Sequence, residues 1–446
     1  MNQKQALDIL KLGHNVFLTG AAGSGKTYLL NQYIKYLKSN HVLVGITAST
    51  GIAATHMNGK TIHSWAHIGI KDVLTSSDLN HIASREDYRT KILNTKVLII
   101  DEVSMLHNYR LDMVNQVLQK IHQNELPFGG IQVILCGDLF QLPPISPYGV
   151  ESKYINDSAI WEKMNIRICY LTEQHRQDGG DFLQLLNEIR DNEVSEYSIE
   201  KLQARINTDV SINFEPTKLY THNVDVDLIN KSELDKLSTE DHVYYVTSQG
   251  DKNLVKTLTD NCLAPSELHL KKGAIVMFVQ NNFSKGYANG TLGEVVGFAK
   301  HTEFPMVKTA DDKIITALPA SWSIEEGNEL LAEIAQIPLR LAWAITIHKS
   351  QGMTLDAAQI DLSKAFVSGM GYVALSRVRS LDGIKLLGIN SRALSVNPNV
   401  IEADRLFRKS SARAVNELIS LRPIELKKLQ EEYLKKITTV SQKVKV

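Results

Sequence analysis

At 446 residues, 43% of them hydrophobic and 22% charged, the chain has room for two or three domains that each bury a core, and its composition excludes a disordered or low-complexity protein. Lysine plus arginine and aspartate plus glutamate both number 49, so no global basic surplus points to nucleic acid, and any such partner must be met by a local groove. Three scattered cysteines, Cys136, Cys169 and Cys262, exclude a disulfide framework and a Cys-x-x-Cys zinc site, and read as buried thiols.

Met1 to Leu12 is polar and short, without the layout of a signal or transit peptide, and no apolar run reaches membrane-spanning length. A soluble, intracellular protein with no membrane association is expected. Val16–Thr19, Val42–Ala48, Val97–Ile100 and Val133–Cys136 read as buried parallel strands. Thr27–Leu37 and Leu111–Ile121 read as helices, which gives a doubly wound α/β pattern. Asp72–Lys91 is polar and reads as a small insertion on the first domain. Leu171–Arg190 and Lys218–Leu237 begin a second domain. A β-rich stretch, His242–Trp322, interrupts it, with Asn289-Gly290 as the hairpin turn between Ala274–Val279 and Thr291–Phe298. The α/β pattern resumes at Pro338. From Pro423 the tail carries Leu426, Leu429, Tyr433 and Ile437 on one helical face and reads as a packing helix.

Gly20 to Thr27 fits G-x-x-x-x-G-K-[ST], between a strand and a helix. Gly23 and Gly25 permit the torsions that turn successive N–H groups onto one anion, so Gly20, Ala22, Gly23, Ser24 and Gly25 form a nucleotide cradle. Lys26 would reach the β- and γ-phosphates of ATP, and Thr27 would ligate Mg²⁺. Asp101 and Glu102 end a buried strand at the sheet edge where ligands bind. Asp101 would hold the Mg²⁺, and Glu102 would polarise the attacking water. Gln141, in Gly137-Asp138-Leu139-Phe140-Gln141-Leu142-Pro143-Pro144, can sense a γ-phosphate; a proline-rich loop without a role competes with that reading.

In this order the segments resemble the Pif-one (petite integration frequency) helicase family of superfamily one, from Gln3 to about Asn390. The most specific stretch is Pro127-Phe128-Gly129-Gly130-Ile131-Gln132 leading into Gly137-Asp138. Thr47-Ala48-Ser49-Thr50-Gly51-Ile52-Ala53-Ala54 with Thr61-Ile62-His63-Ser64 is similar to the family's first strand-contact motifs. Leu171-Thr172-Glu173-Gln174-His175-Arg176-Gln177 is similar to its fourth. Its fifth and sixth are matched by Ala342-Trp343-Ala344-Ile345-Thr346-Ile347-His348-Lys349-Ser350-Gln351-Gly352 and by Tyr372-Val373-Ala374-Leu375-Ser376-Arg377. Trp65-Ala66-His67-Ile68-Gly69 departs from the family's Phe-Ala-Gly-Ile-Gly.

The resemblance implies two RecA-like parallel-sheet domains, with a small insertion in the first and a small β-barrel-like insertion in the second. Residues 1–170 would form the first, with an inserted wedge at about 66–92; residues 171–240 and 337–420 the second; 241–336 the barrel, similar to Src-homology-three domains; and 421–446 a tail. It places Gln3 against the adenine, Gly352 at the nucleotide, and Arg176 and Arg377 at the γ-phosphate, a charge clamp that can contribute about 10³–10⁵ in rate. From chemistry alone, a surface ion pair worth little is the favoured reading of each arginine. Thr47, Ser49, Thr50, Thr346, His348 and Lys349 would hold phosphates of single-stranded DNA, which positions a strand without reading its sequence. His63 and Trp65 could stack on bases or serve as cap and core. Phe128, with Gly129, is the better stacking candidate, since Pro-Phe-Gly-Gly reads as an exposed loop.

The expected activity is an ATP-dependent 5′→3′ DNA helicase that acts as a monomer on duplexes and forks, with RNA–DNA hybrids or guanine quadruplexes as further substrates. Short termini suggest a minimal bacterial or viral core, cytoplasmic and nucleoid-associated. Two alternatives stand beside it: a RecD-like or phage-type subunit of a nuclease or replication assembly, and an ATP-dependent nucleic-acid-binding switch that does not unwind.

Overall fold

The computed structural model describes residues 1–69, 71–144, 152–176, 180–210, 216–220, 226–326 and 329–439. Gln177, the last residue of the fourth motif, and the end of the tail lie outside them. Runs of β-branched and apolar residues form β1 (Val16–Gly20), β2 (Val44–Ala48), β3 (Lys60–Thr61), β4 (Val97–Asp101), β5 (Gln132–Cys136) and β6 (Arg167–Leu171). They hydrogen-bond in the order β3-β2-β4-β5-β1-β6, and every pair is parallel. All residues of β1, β4 and β5 are buried, as strands covered on both faces must be. The carboxyl ends of β1 and β4 open on one crevice, the usual place for a ligand in such a sheet.

Helix α1 (Gln3–Lys11) starts at a capping box made by Asn2 and Gln5, and α2 (Lys26–Ser39) follows β1 directly. Ser76–Ser84 and Glu86–Asn94 are helices lying against the helix Asn108–His122 and add no strand to the sheet. A second parallel sheet runs Ala344–Thr346, Thr217–Tyr220, Ala358–Leu362, Ile384–Ile389. Between its strands, the region expected to be barrel-like is antiparallel: a five-stranded sheet from Ile275–Phe278 to Leu339–Leu341, with two smaller sheets beside it. Ile275–Phe278 and Leu292–Phe298 pair as expected, but a longer loop joins them. Asn289-Gly290 forms only its return, where Gly290 (φ 94°) lies so close to Thr354 O that a Cβ would sit 2.3 Å away.

Two parts of the chain depart from the expected layout. Leu171 closes β6 of the first sheet rather than opening a second domain. The helix Pro398–Ser420, within the span read as the second domain, returns to pack on β6, and its Phe407 meets Phe17 edge-on at 5.2 Å. Amphipathic spacing marks a buried face without saying which core receives it. The last helix, Pro423–Thr439, lies on α1: Tyr433 covers Gly13 and donates to Gln132 Oε1 at 3.1 Å. No helix among the described residues is long and apolar enough to cross a membrane.

Candidate active site

The phosphate loop leaves β1 through three glycines with positive φ, Gly20 (145°), Gly23 (86°) and Gly25 (83°), and Gly25 starts α2 from the left-handed region. The amino end of α2, with its free N–H groups and positive dipole end, therefore faces the crevice. Lys26 Nζ folds back over the loop and donates to Gly20 O (2.9 Å) and Ala21 O (3.0 Å). Ser24 Oγ is buried without a hydrogen-bond partner among the described residues, as an atom waiting on a ligand would be. Gln3 lies against the loop: a Cβ on Gly25 would come within 2.1 Å of Gln3 Nε2, which also approaches His175 Nε2 at 3.3 Å.

At the end of β4, Asp101 Oδ1 accepts from Glu102 N at 2.9 Å. Burial pushes the Asp101 carboxyl up, against the pull of a hydrogen bond from Cys136 and of the Lys26 charge. Glu102 has φ 51°, a strained backbone for a residue with a side chain. Its carboxyl is pushed up to about 7, first by burial and then by Asp101, while Lys26 and Arg377 oppose the shift. Glu102 still keeps partial solvent contact, and Ser49 holds it in place by donating from Oγ to Glu102 O at 2.5 Å. A carboxyl so tuned suits a general base near neutral pH. The Thr27 hydroxyl at the start of α2 and the Asp101 carboxylate are oxygen donors of the kind a hard divalent cation takes.

Two arginines complete the cleft, Arg377 from its far side and Arg176 from the segment after β6, where His175 N donates to Gly23 O at 2.9 Å. Arg377 is 1% exposed and donates from Nε to Val373 O (3.0 Å) and from Nη2 to Ser376 Oγ (2.9 Å). Arg176 donates from Nη1 to Ser376 O at 3.0 Å. Burial pushes both guanidiniums down, and Arg377 adds to the effect on Arg176; Glu102 is the acidic group whose field each of them feels. Neither makes an ion pair among the described residues, which sets both apart from surface pairs. Gln141 is buried, and its Oε1 has no hydrogen-bond partner among the described residues. These groups share one cavity of about 730 Å³ with Gly352, His348, Lys349 and Thr50, and with Asn281 and Asn289 of the inserted β region.

The proposed DNA contacts divide. Thr50, His63, His348 and Lys349 are half-buried. Thr50 caps the helix Gly51–His56, and burial, aided by Arg110 and His107, keeps the His63 ring from protonating readily. Thr346 is buried and accepts from Lys349 N at 3.2 Å. Five residues do not fit the role. Thr47 is fully buried and donates to Ile99 O (2.7 Å), tying β2 to β4. The Ser49 hydroxyl is spent on Glu102. Phe128, expected on an exposed loop, is fully buried: φ of 52° at Phe128 and 66° at Gly129 turn the ring inward against the helix Asn108–His122, and Asn115 Oδ1 accepts from Phe128 N at 2.7 Å. Gly129 is buried with it, where a Cβ would lie 2.7 Å from His122. Trp65 is core, packed on Gly45. At the departure from the family pattern, His67 adopts φ 51°, where glycine is easier, and its ring meets Tyr88 at 4.1 Å.

Sequence reading passed over one buried constellation. Arg190 Nη1 shares its two hydrogens among both Asp138 oxygens (2.7 Å each) and the Tyr372 hydroxyl (3.1 Å), and Nη2 donates to the Tyr170 hydroxyl (2.9 Å). The available signal was Arg190 on the apolar face of a helix beside Leu186 and Ile189, where a cation needs a buried partner.

Residues 1–200 match PIF1-like helicase, and residues 253–298 match the 2B domain of DNA helicase Pif1. The ATP-dependent DNA helicase Pif1 of Psychrobacter sp. (strain PRwf-1) is 45% identical, covering 97% of this chain and 74% of the relative. The human ATP-dependent DNA helicase PIF1 is 36% identical over 91% of this chain, which spans only 63% of that protein. Bacteroides sp Pif1 in complex with ADP-AlF4 superposes with a TM-score of 0.79 at 31% identity, covering 91% of this chain and 96% of that one. The chain belongs to the PIF1-like helicase family, a family of ATP-dependent DNA helicases.

Proposed function

We propose that this chain hydrolyses ATP, with Mg²⁺, to move 5′→3′ along single-stranded DNA and unwind the duplex ahead of it. One observation carries the reading: Arg377 faces Lys26 and Glu102 across a single cleft between two parallel sheets, while Arg176, held beside the phosphate loop where His175 N donates to Gly23 O, reaches over to Ser376 O. Lys26 and the loop N–H groups other than that of Ala22, which donates to Tyr372, would bind the phosphates, Glu102 would polarise the attacking water as its base, and Gln141 would sense the γ-phosphate. Arg176 and Arg377 would stabilise charge on the transferring phosphoryl group and draw the lobes together. Thr27 and Asp101 would hold the Mg²⁺, which supplies charge neutralisation. Thr50, His63, His348 and Lys349 are the candidates for DNA contact. A related Bacteroides Pif1 has been solved bound to ssDNA, which supports such a partner. The Psychrobacter relative supports a bacterial setting, and the nucleoid is the place of action that the proposed DNA substrate implies.

The test is unwinding of matched duplexes carrying a 5′ or a 3′ single-stranded tail, with ATP and Mg²⁺. Strand release from the 5′-tailed substrate alone is expected; equal or preferential release from the 3′-tailed one overturns the polarity. The same assay on an RNA–DNA hybrid and a guanine quadruplex defines the substrate range.

A further inference from the structure

Tyr372 sits on the short helix Met370–Leu375, 1% exposed, and its hydroxyl is fully used. It accepts from Ala22 N of the phosphate loop (2.9 Å) and from Arg190 Nη1 (3.1 Å), and it donates to Asp138 Oδ2 (3.1 Å). Behind it, Asp138 is locked by Arg190, so the hydroxyl has little freedom to move. The helix start is fixed as well: Gly369 (φ 86°) lies so close to Phe140 O that a Cβ would sit 2.7 Å away, next to Gln141. Just past the other end of the same helix stands Arg377, and Arg176, from the segment after β6, docks there. Arg377 is braced on Val373 O and Ser376 Oγ, and Arg176 on Ser376 O.

From this chain of contacts we propose that Tyr372 is a positioning residue for hydrolysis: its hydroxyl sets the register between the phosphate loop at Ala22 and the helix that presents Arg377. The inference rests on Arg377 being a γ-phosphate contact. A buried network that served stability alone would not distinguish one phosphate state from another. A register device must weaken the transition state more than the ground state.

The test is equilibrium binding of ADP and of ADP–aluminium fluoride to the full chain. Tyr372→Phe removes the hydroxyl and keeps the ring. It should weaken the fluoride complex by about 10²-fold, the cost of a misplacement near 1 Å, and change ADP binding by less than about twofold. In an Arg377→Ala background the same change should add less than about twofold, because the effect runs through Arg377. Unchanged fluoride affinity, or an equal loss for both ligands, or a full further loss in the Arg377→Ala background, overturns the proposal. If Arg377→Ala itself leaves fluoride binding intact, it is the arginine assignment that fails. Should Tyr372→Phe not fold, Gly369→Ala, which forces the helix off Phe140 O, must show the same selective loss; wild-type selectivity there overturns the proposal.

Discussion

At the scale of single residues, Glu102 carries two costs that a mere strand end would not: a left-handed backbone and a carboxyl beside a second buried carboxylate. Strain held in place by Ser49 and a tuned carboxyl together mark a working group. The sign of its pH effect follows. A general base acts only when ionised, and this carboxyl is held up to about 7, so turnover should fall as pH drops through about 7 rather than near 4.5. Glu102→Gln should lose about 10²–10⁴ in turnover and flatten that limb. A wild-type profile that stays level down to pH 5.5 would contradict the assignment. The same shift acts on stability. Between 4.5 and about 7 the folded chain holds a proton that the unfolded chain has released, so raising pH through 7 removes a stabilising contribution.

At the scale of elements, the segments whose chemistry is local were legible in the sequence. A glycine-rich turn between strand and helix has few conformations open to it, so Gly20 to Thr27 could be placed before any contact was seen. Asp101 and Glu102 followed from a buried strand that ends in charge. Segments whose fate depends on a distant partner were not legible. Pro127–Gly130 has the composition of an exposed turn, yet the torsions of Phe128 and Gly129 drive the ring into the core. Nothing local to Pro398–Ser420 says that it crosses back to β6, and the ion pair of Arg190 with Asp138 joins residues far apart in the chain. Phe128→Ala should destabilise the fold by about 3–5 kcal/mol, as loss of a fully buried ring does. Affinity of the still-folded protein for single-stranded DNA should be unchanged. Thermal unfolding paired with DNA titration at low temperature checks both, and weak DNA binding by a protein of undiminished stability would restore Phe128 to the track.

At the scale of the whole molecule, two parallel sheets and an antiparallel insertion meet around one cleft. The phosphate loop and Glu102 come from one side, and the sixth-motif arginine and the fifth-motif residues His348 and Gly352 come from the other. On the proposed reading, closure of the lobes completes the site, and a change in their spacing should change hydrolysis. Asn281 and Asn289 bring the inserted region into the same cleft, and Gly290 rests on Thr354, so a strand held by that region would bear on the nucleotide. On the proposed function, hydrolysis in this cleft is coupled to a bound DNA strand. The most direct measurement is the steady-state ATP hydrolysis rate of the purified chain with and without single-stranded DNA, with Lys26→Ala alongside. Strong stimulation by DNA, absent in a Lys26→Ala variant that still binds DNA, is expected. A rate indifferent to DNA, or turnover surviving without Lys26, would contradict the account.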